Sequence, residues 1–186
     1  VDGTAADFAS GLSQVVDVRV ANDGSVYFLQ RGGSPGGQVH RVRSNQTAPG
    51  PIADGNYRLL PTHIPTGTPA RCVDVTGVSQ ESGADIIQWT CNGQANQVFN
   101  FTHLGSNVYE VRAVHSNLCM SVADDSAADG ADVVQLGCTG AAGQRWLVRP
   151  VSGQTGVYEL LAQTGSSRCL DVFGQGTPEG TDVIQW

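Results

Sequence analysis

The sequence predicts an all-β protein, most of it a threefold repeat of short strands. Three observations carry the prediction. Gly is abundant, at 24 of 186 residues, and short apolar runs are separated by Gly, Asp, Asn, Pro and Ser, the texture of strands joined by tight turns. No stretch sustains a 3.6-residue apolar period, so little helix is expected. One phrase also recurs: ADIIQW at 84–89, ADVVQL at 131–136 and TDVIQW at 181–186.

The repeat extends well beyond that phrase. Three segments align on a cysteine: RCVDV at 71–75, LCMSV at 118–122 and RCLDV at 168–172. Sixteen residues after each Cys stands Gln88, Gln135 or Gln185, followed by Trp89, Leu136 or Trp186. Asp85, Asp132 and Asp182 each precede that Gln by three residues. In the first two units a second Cys follows, Cys91 and Cys138, and six residues later come Gln97-Val-Phe99 and Gln144-Arg-Trp146. An aromatic strand precedes each first Cys: NYRLL at 56–60, NVYEVRA at 107–113 and GVYELLA at 156–162.

Each unit therefore reads as about four strands, in the first YRLL, CVDV, DIIQW and QVFNF. One unit cannot bury its own apolar face, whereas three around a pseudo-threefold axis share a core. Phe99 and Trp146 are expected in that core, where a large aromatic buries most of its area.

Residues 1–43 lie outside the repeat. VVDVRV at 15–20, the turn ANDGS, VYFLQ at 26–30, the loop RGGSPGG and QVHRVR at 38–43 predict an antiparallel three-strand meander. Alone it is too small for independent stability and reads as the end of something larger. SNQTAPGPIADG at 44–55 reads as a Pro/Gly linker to the repeats at 56–106, 107–155 and 156–186.

The pattern C-L/V-D-V, Q-W-x-C and N-Q-x-F/W, in three aligned copies over roughly 56–186, resembles the ricin B-chain lectin domain and the family 13 carbohydrate-binding modules of bacterial secreted enzymes. The resemblance implies a β-trefoil. It is incomplete on this reading, because the family pattern places a further Cys and a closing strand after Trp186. It implies disulfides Cys72–Cys91 and Cys119–Cys138, each closing a loop of about 20 residues and contributing about 3 kcal/mol on the chain-entropy estimate. Cys169, the fifth of an odd count, would pair with the Cys expected beyond Trp186. The phrase FASGL, VVDVRVANDGSVYFL and QVHRVR resembles the last blade of a bacterial β-propeller of the secreted, quinone-dependent glucose/sorbosone dehydrogenase type.

Sugar recognition needs a flat aromatic face for the C–H side of a pyranose and fixed carboxylates and amides for its hydroxyls. The resemblance places these at Asp74, Trp89, Asn96 and Gln97 in unit one. Unit three retains Asp171 and Trp186 without the Asn-Gln pair. Unit two has Ser121, Leu136 and Gly143 at the corresponding positions and is expected to be structural. The plainer alternatives are that Asp74 and Asp171 satisfy strand-end N–H groups and that Trp89 belongs to the core. Ile87 takes the place where related sites often carry a Gln, a departure from the pattern.

Other classes are disfavoured. A net charge of −7, with ten Arg and no Lys, offers no basic patch for nucleic acid. No apolar run approaches the roughly 18–20 residues of a membrane span. The four His are not at metal-ligand spacing from any Cys, so no metal site is expected. Residues 56–186 show no nucleophile–base pairing or phosphate loop, and no cofactor is expected in this chain. Five Cys suggest an oxidising, extracellular compartment. The expectation is a carbohydrate-binding module of a secreted protein, for galactose-, xylose- or arabinose-type glycans. The alternatives are the non-catalytic end of a sugar dehydrogenase anchored to polysaccharide by its lectin module, and a purely structural trefoil.

Overall fold

The computed structural model describes residues 50–165 and 168–186 in full, and the backbone of three strands before them. Those strands, β1 (Val15–Val20), β2 (Val26–Gln30) and β3 (Gln38–Val42), form an antiparallel meander in the order β1-β2-β3. The register is unbroken across β2 and β3, with Val26 opposite Val42 and Gln30 opposite Gln38. The chain divides into two compact units, residues 1–48 and 49–186. The other residues of the segment that resembles a propeller blade, FASGL among them, and linker residues 44–49 lie outside the described residues.

The larger unit is all-β. Unit one contributes β4 (Gly55–Tyr57), β5 (Arg71–Val75), β6 (Ile86–Thr90) and β7 (Phe99–Gly105). Unit two contributes β8 (Val108–Ala113), β9 (Cys119–Val122), β10 (Ala131–Leu136) and β11 (Arg145–Pro150). Unit three contributes β12 (Tyr158–Ala162), β13 (Leu170–Val172) and β14 (Thr181–Gln185). The helical elements among the described residues are single 3-10 turns. The first expected strand is shorter than NYRLL: the ladder of β4 ends at Tyr57, and Leu59 keeps one main-chain bond, accepting from Val73 N–H before Pro61.

Two sets of pairings build the trefoil. The outer set runs β4–β7–β8–β11–β12, each pair antiparallel. The second set is three hairpins, β5–β6, β9–β10 and β13–β14. Their second strands are the recurring phrase, and these meet one another. Thr181 and Asp182 pair with Gln88 and Ile87, Ala131 and Asp132 pair with Gln185 and Ile184, and Asp85 bridges Val134. The start of each phrase thus pairs with the end of another, closing a three-membered ring.

The glutamine of each phrase locks the ring. Gln88, Gln135 and Gln185 are all fully buried. Gln88 Nε2 donates to Gly176 O (2.6 Å) and Pro178 O (2.8 Å), Gln135 Nε2 to Ser79 O and Glu81 O (both 2.8 Å), and Gln185 Nε2 to Ser126 O (2.6 Å) and Ala128 O (2.8 Å). Unit one therefore grips unit three, unit two grips unit one, and unit three grips unit two. Their main-chain carbonyls accept in return from Gly180, Gly83 and Gly130, the residue just before the next phrase. A buried amide with both hydrogens placed satisfies backbone carbonyls that loops would otherwise leave unpaired.

The shared core lies inside the outer strands. Phe99, Tyr109, Met120 and Trp146 are fully buried there, as the patterning requires. Trp146 Nε1 donates to Met120 O at 3.0 Å, so its one polar atom is also satisfied. The disulfides Cys72–Cys91 and Cys119–Cys138 both form, each with Cα atoms 5.1 Å apart. Cys169 is a free thiol, half-buried, with its pKa raised by burial. A cleft of about 630 Å³ opens beside unit three, lined by Tyr57, Leu59, Val148, Leu160 and Leu170 and reaching Asp171.

Candidate functional site

In β5–β6 the register sets Asp74 opposite Ile87 and Cys72 opposite Trp89. Opposed residues share a face of a sheet, as do residues two apart in a strand. Asp74, Ile87 and Trp89 therefore lie on one face, with Val73, Val75, Ile86 and Gln88 on the other, toward the interior. Ile87 beneath them is 8% exposed, whereas Trp89 is 41% exposed. Trp89 is thus a surface ring and not a core residue.

Asp74 is buried and held at both oxygens. Asn96 Nδ2 donates to Oδ1 at 2.9 Å and Gln97 Nε2 to Oδ2 at 2.7 Å. The partners are side-chain amides, not the strand-end N–H groups of the plainer reading. Burial pushes the Asp74 carboxyl above its ordinary value, against hydrogen bonds from Gln97 and Asn96 and the nearby His115, which favour the charged form. The amides come from the 3-10 turn Ala95–Gln97, where Asn96 and Gln97 are both buried.

The two amides do different work. Gln97 spends its other hydrogen on Thr90 O (2.9 Å), and its Oε1 accepts from Asn92 N–H (2.8 Å). It has no N–H left for a ligand, so within the predicted set it acts by fixing Asp74. Gln144 makes the same latch in unit two, from Nε2 to Gly137 O and from Thr139 N–H to Oε1. Asn96 instead keeps a buried Oδ1 with no hydrogen-bond partner, a lone acceptor beside the carboxylate.

Unit two lacks this chemistry. Ser121 is buried and returns its hydroxyl to Val122 O. At the place of Asn96 stands Gly143, whose N–H donates to Asp125 Oδ1 at 2.6 Å. A Cβ there would lie 2.7 Å from that oxygen, so the Asp125 carboxylate occupies the space an asparagine would need.

In unit three Asp171 lies opposite Ile184, and Cys169 and Trp186 exchange both main-chain hydrogen bonds. Asp171 is half-buried, and its Oδ1 accepts from Val172 N–H at 2.8 Å. Here the strand-end reading holds: the carboxylate satisfies a backbone N–H of its own strand. Trp186 is 61% exposed.

The sequence reading missed what the neighbouring units add. A Cβ on Gly180 would lie 3.9 Å from Trp89 Cζ3, and one on Gly130 would lie 3.7 Å from Trp186 Cζ3. Glu179 Oε1 accepts from Thr90 N–H at 3.2 Å, and this bond, first among its causes, lowers the Glu179 pKa. Asp129, at the corresponding place, pairs with Arg168. Each exposed tryptophan therefore sits at a seam, with a glycine from another unit at its edge and an acid one residue before that glycine. The glycine before every phrase was the available signal.

Fold and face together define a β-trefoil that presents solvent-facing tryptophans beside carboxylates at the seams between repeats. The chain belongs to the ricin-type β-trefoil lectin domain-like family, whose model matches residues 51–136 and 95–186. The designed threefold-symmetric protein ThreeFoil is 33% identical, with TM-score 0.65 over 72% of this chain and 89% of its own. Two more distant structures share the fold. One is the exo-β-1,3-galactanase 1,3Gal43A of Clostridium thermocellum, with 20% identity and TM-score 0.64 over 87% of this chain and 35% of its own. The other is the Polyporus squamosus lectin bound to Neu5Acα2-6Galβ1-4GlcNAc, with 18% identity and TM-score 0.58 over 77% and 45%. The α subunit of clotting factor G from Tachypleus tridentatus is 49% identical over 39 residues, a match spanning 21% of this chain and 6% of that subunit.

Proposed function

We propose that the trefoil is a carbohydrate-binding module whose principal site is unit one. The observation that carries this is the Asp74 carboxylate, buried and pinned by two amides, on the same face as the exposed Trp89 ring. A pyranose stacks its C–H face on Trp89 and gives hydroxyl hydrogens to Asp74, a carboxylate that Asn96 helps to hold. Gln97 positions the carboxylate. Membership of a lectin-type family, and the glycan held by one structure of the same fold, support the reading.

The ligands proposed are galactose-, xylose- or arabinose-type glycans. A single shallow site of this kind binds weakly, and the second platform at Asp171 and Trp186 raises avidity for polymers. Glycan-array and polysaccharide pull-down binding is expected, and falls in Asp74→Ala and in Trp89→Ala to the level that unit three alone sustains, with the circular dichroism of the fold retained. Binding unchanged by both substitutions overturns the site.

Two disulfides favour an oxidising compartment, and we place the protein outside the cell. The antiparallel meander β1–β3 is compatible with the propeller resemblance. On that observation, the second reading is that the module serves a sugar dehydrogenase and holds it on polysaccharide. Quinone-dependent oxidation of sugar by the whole protein, absent from residues 50–186 alone, tests it.

A further inference from the structure

The two most exposed large hydrophobic side chains among the described residues both belong to unit three: Trp186 at 61% and Phe173 at 60%. Val172 is extended (φ −98°, ψ 123°) and buried, so Phe173, next in the chain, leaves the strand on the side of Asp171. Trp186 lies opposite Cys169, two residues before Asp171, and Phe173 lies two residues after it. The carboxylate is therefore flanked by an aromatic ring on each side. The four-residue span from Cys169 to Phe173 is roughly 13 Å at strand rise, more than one pyranose ring covers.

The other units lack this arrangement. Thr76 and Ala123 begin the corresponding 3-10 turns, so unit one has one platform and unit two has none. A phenylalanine six-tenths exposed on a turn contributes little to the core, and nothing in the local hydrogen bonding of Phe173–Gln175 requires an aromatic there.

We infer that unit three is an extended subsite for two or more consecutive sugar residues, one stacked on Trp186, the next on Phe173, with Asp171 accepting hydroxyls between them. This rests on the carbohydrate reading above and assigns a chain-length preference to one unit. Unit one, with Trp89 alone, takes a single sugar.

The test uses the full chain carrying Asp74→Ala and Trp89→Ala, so that unit three is read alone. Calorimetric titration with galactose, xylose and arabinose, and with their oligomers of two to four sugars, is expected to show affinity rising with length. Adding Phe173→Ala should cost the oligomers about tenfold and the monosaccharides less than twofold. Adding Trp186→Ala should remove both. In the otherwise unchanged protein, Thr76→Phe should confer a length preference on unit one. Equal losses for monomer and oligomer with Phe173→Ala, or none, overturn the inference while leaving unit one intact. So does a change confined to self-association in sedimentation, which would make the pair a protein contact. Binding to no glycan by the unsubstituted chain defeats the carbohydrate reading itself.

Discussion

Gln135→Ala is expected to destabilise the trefoil by about 3 kcal/mol, although Gln135 contacts no candidate ligand residue. Its Nε2 donates to Ser79 O and Glu81 O, both at 2.8 Å, and its Oε1 accepts from Ser116 Oγ at 2.7 Å. Truncation removes three hydrogen bonds at about 1 kcal/mol net each and leaves two carbonyls without their donor. For a domain of this size roughly 3 °C of melting temperature follows each kcal/mol, so the shift is about 9 °C. Equilibrium urea unfolding by tryptophan fluorescence measures it, with the slope checked against the parent. Gln88→Ala is the internal control: it removes two bonds, and Gln88 Oε1 has no partner to lose, so about 2 kcal/mol is expected. Gln135→Glu should be worse than Ala at neutral pH, because an acceptor then faces two carbonyl oxygens, and should partly recover in acid. A loss under about 0.5 kcal/mol for Gln135→Ala, the range of an ordinary surface change, refutes the ring as a source of stability.

Two tryptophans should behave oppositely: Trp146→Ala costs about 3–5 kcal/mol in a thermal melt, while the half-exposed Trp89→Ala costs little and abolishes unit-one binding. Reducing Cys72–Cys91 and Cys119–Cys138 should lower stability by about 3 kcal/mol each, read as a denaturation midpoint with and without dithiothreitol. Burial raises the Asp74 pKa above 3.8, so unit-one glycan affinity should fall on acidification at a pH higher than for an ordinary aspartate. Over the same window, from the unfolded value up to the raised folded one, the native state holds more proton than the unfolded chain. The Asp74 contribution to stability therefore declines as pH rises, and pH-dependent melts of Asp74→Asn should lack that slope. Gly180→Val, at φ +77° and facing Trp89 Cζ3, should cost roughly 1–2 kcal/mol and weaken glycan binding, checked by melting and titration together.

Much of this molecule was legible in the spacing of its cysteines and aromatics. The sequence marks strands at VVDVRV, VYFLQ and NVYEVRA, the first by its alternation, and strands stand at each. Phe99 and Trp146 read as core because one unit cannot bury itself, and both are fully buried. What resisted reading is long-range polar pairing. The acceptors of Gln88, Gln135 and Gln185 lie 54–90 residues away and are main-chain carbonyls, which no side-chain pattern announces. The same holds for Glu179, which reaches Thr90, and Gly180, which faces Trp89, both from another repeat. In the candidate site the residue types were readable, but the division of labour was not. Both amides have spent their hydrogens, and they differ at the oxygen, that of Gln97 accepting from Asn92 N–H and that of Asn96 staying unpaired.

The ring at the centre fixes a number. In stacked-repeat proteins each module touches only its neighbours, so copies can be added or removed at an end. Here every module is both lender and borrower, giving its glutamine hydrogens to one companion and receiving from the other. Two modules leave a lender without a taker, and a fourth has no place to enter. Lineages built on this plan can vary each copy's surface, as units one, two and three differ at Asp74, Ser121 and Asp171, but cannot lengthen the array. A peptide of one copy would gain its fold only by assembling as three.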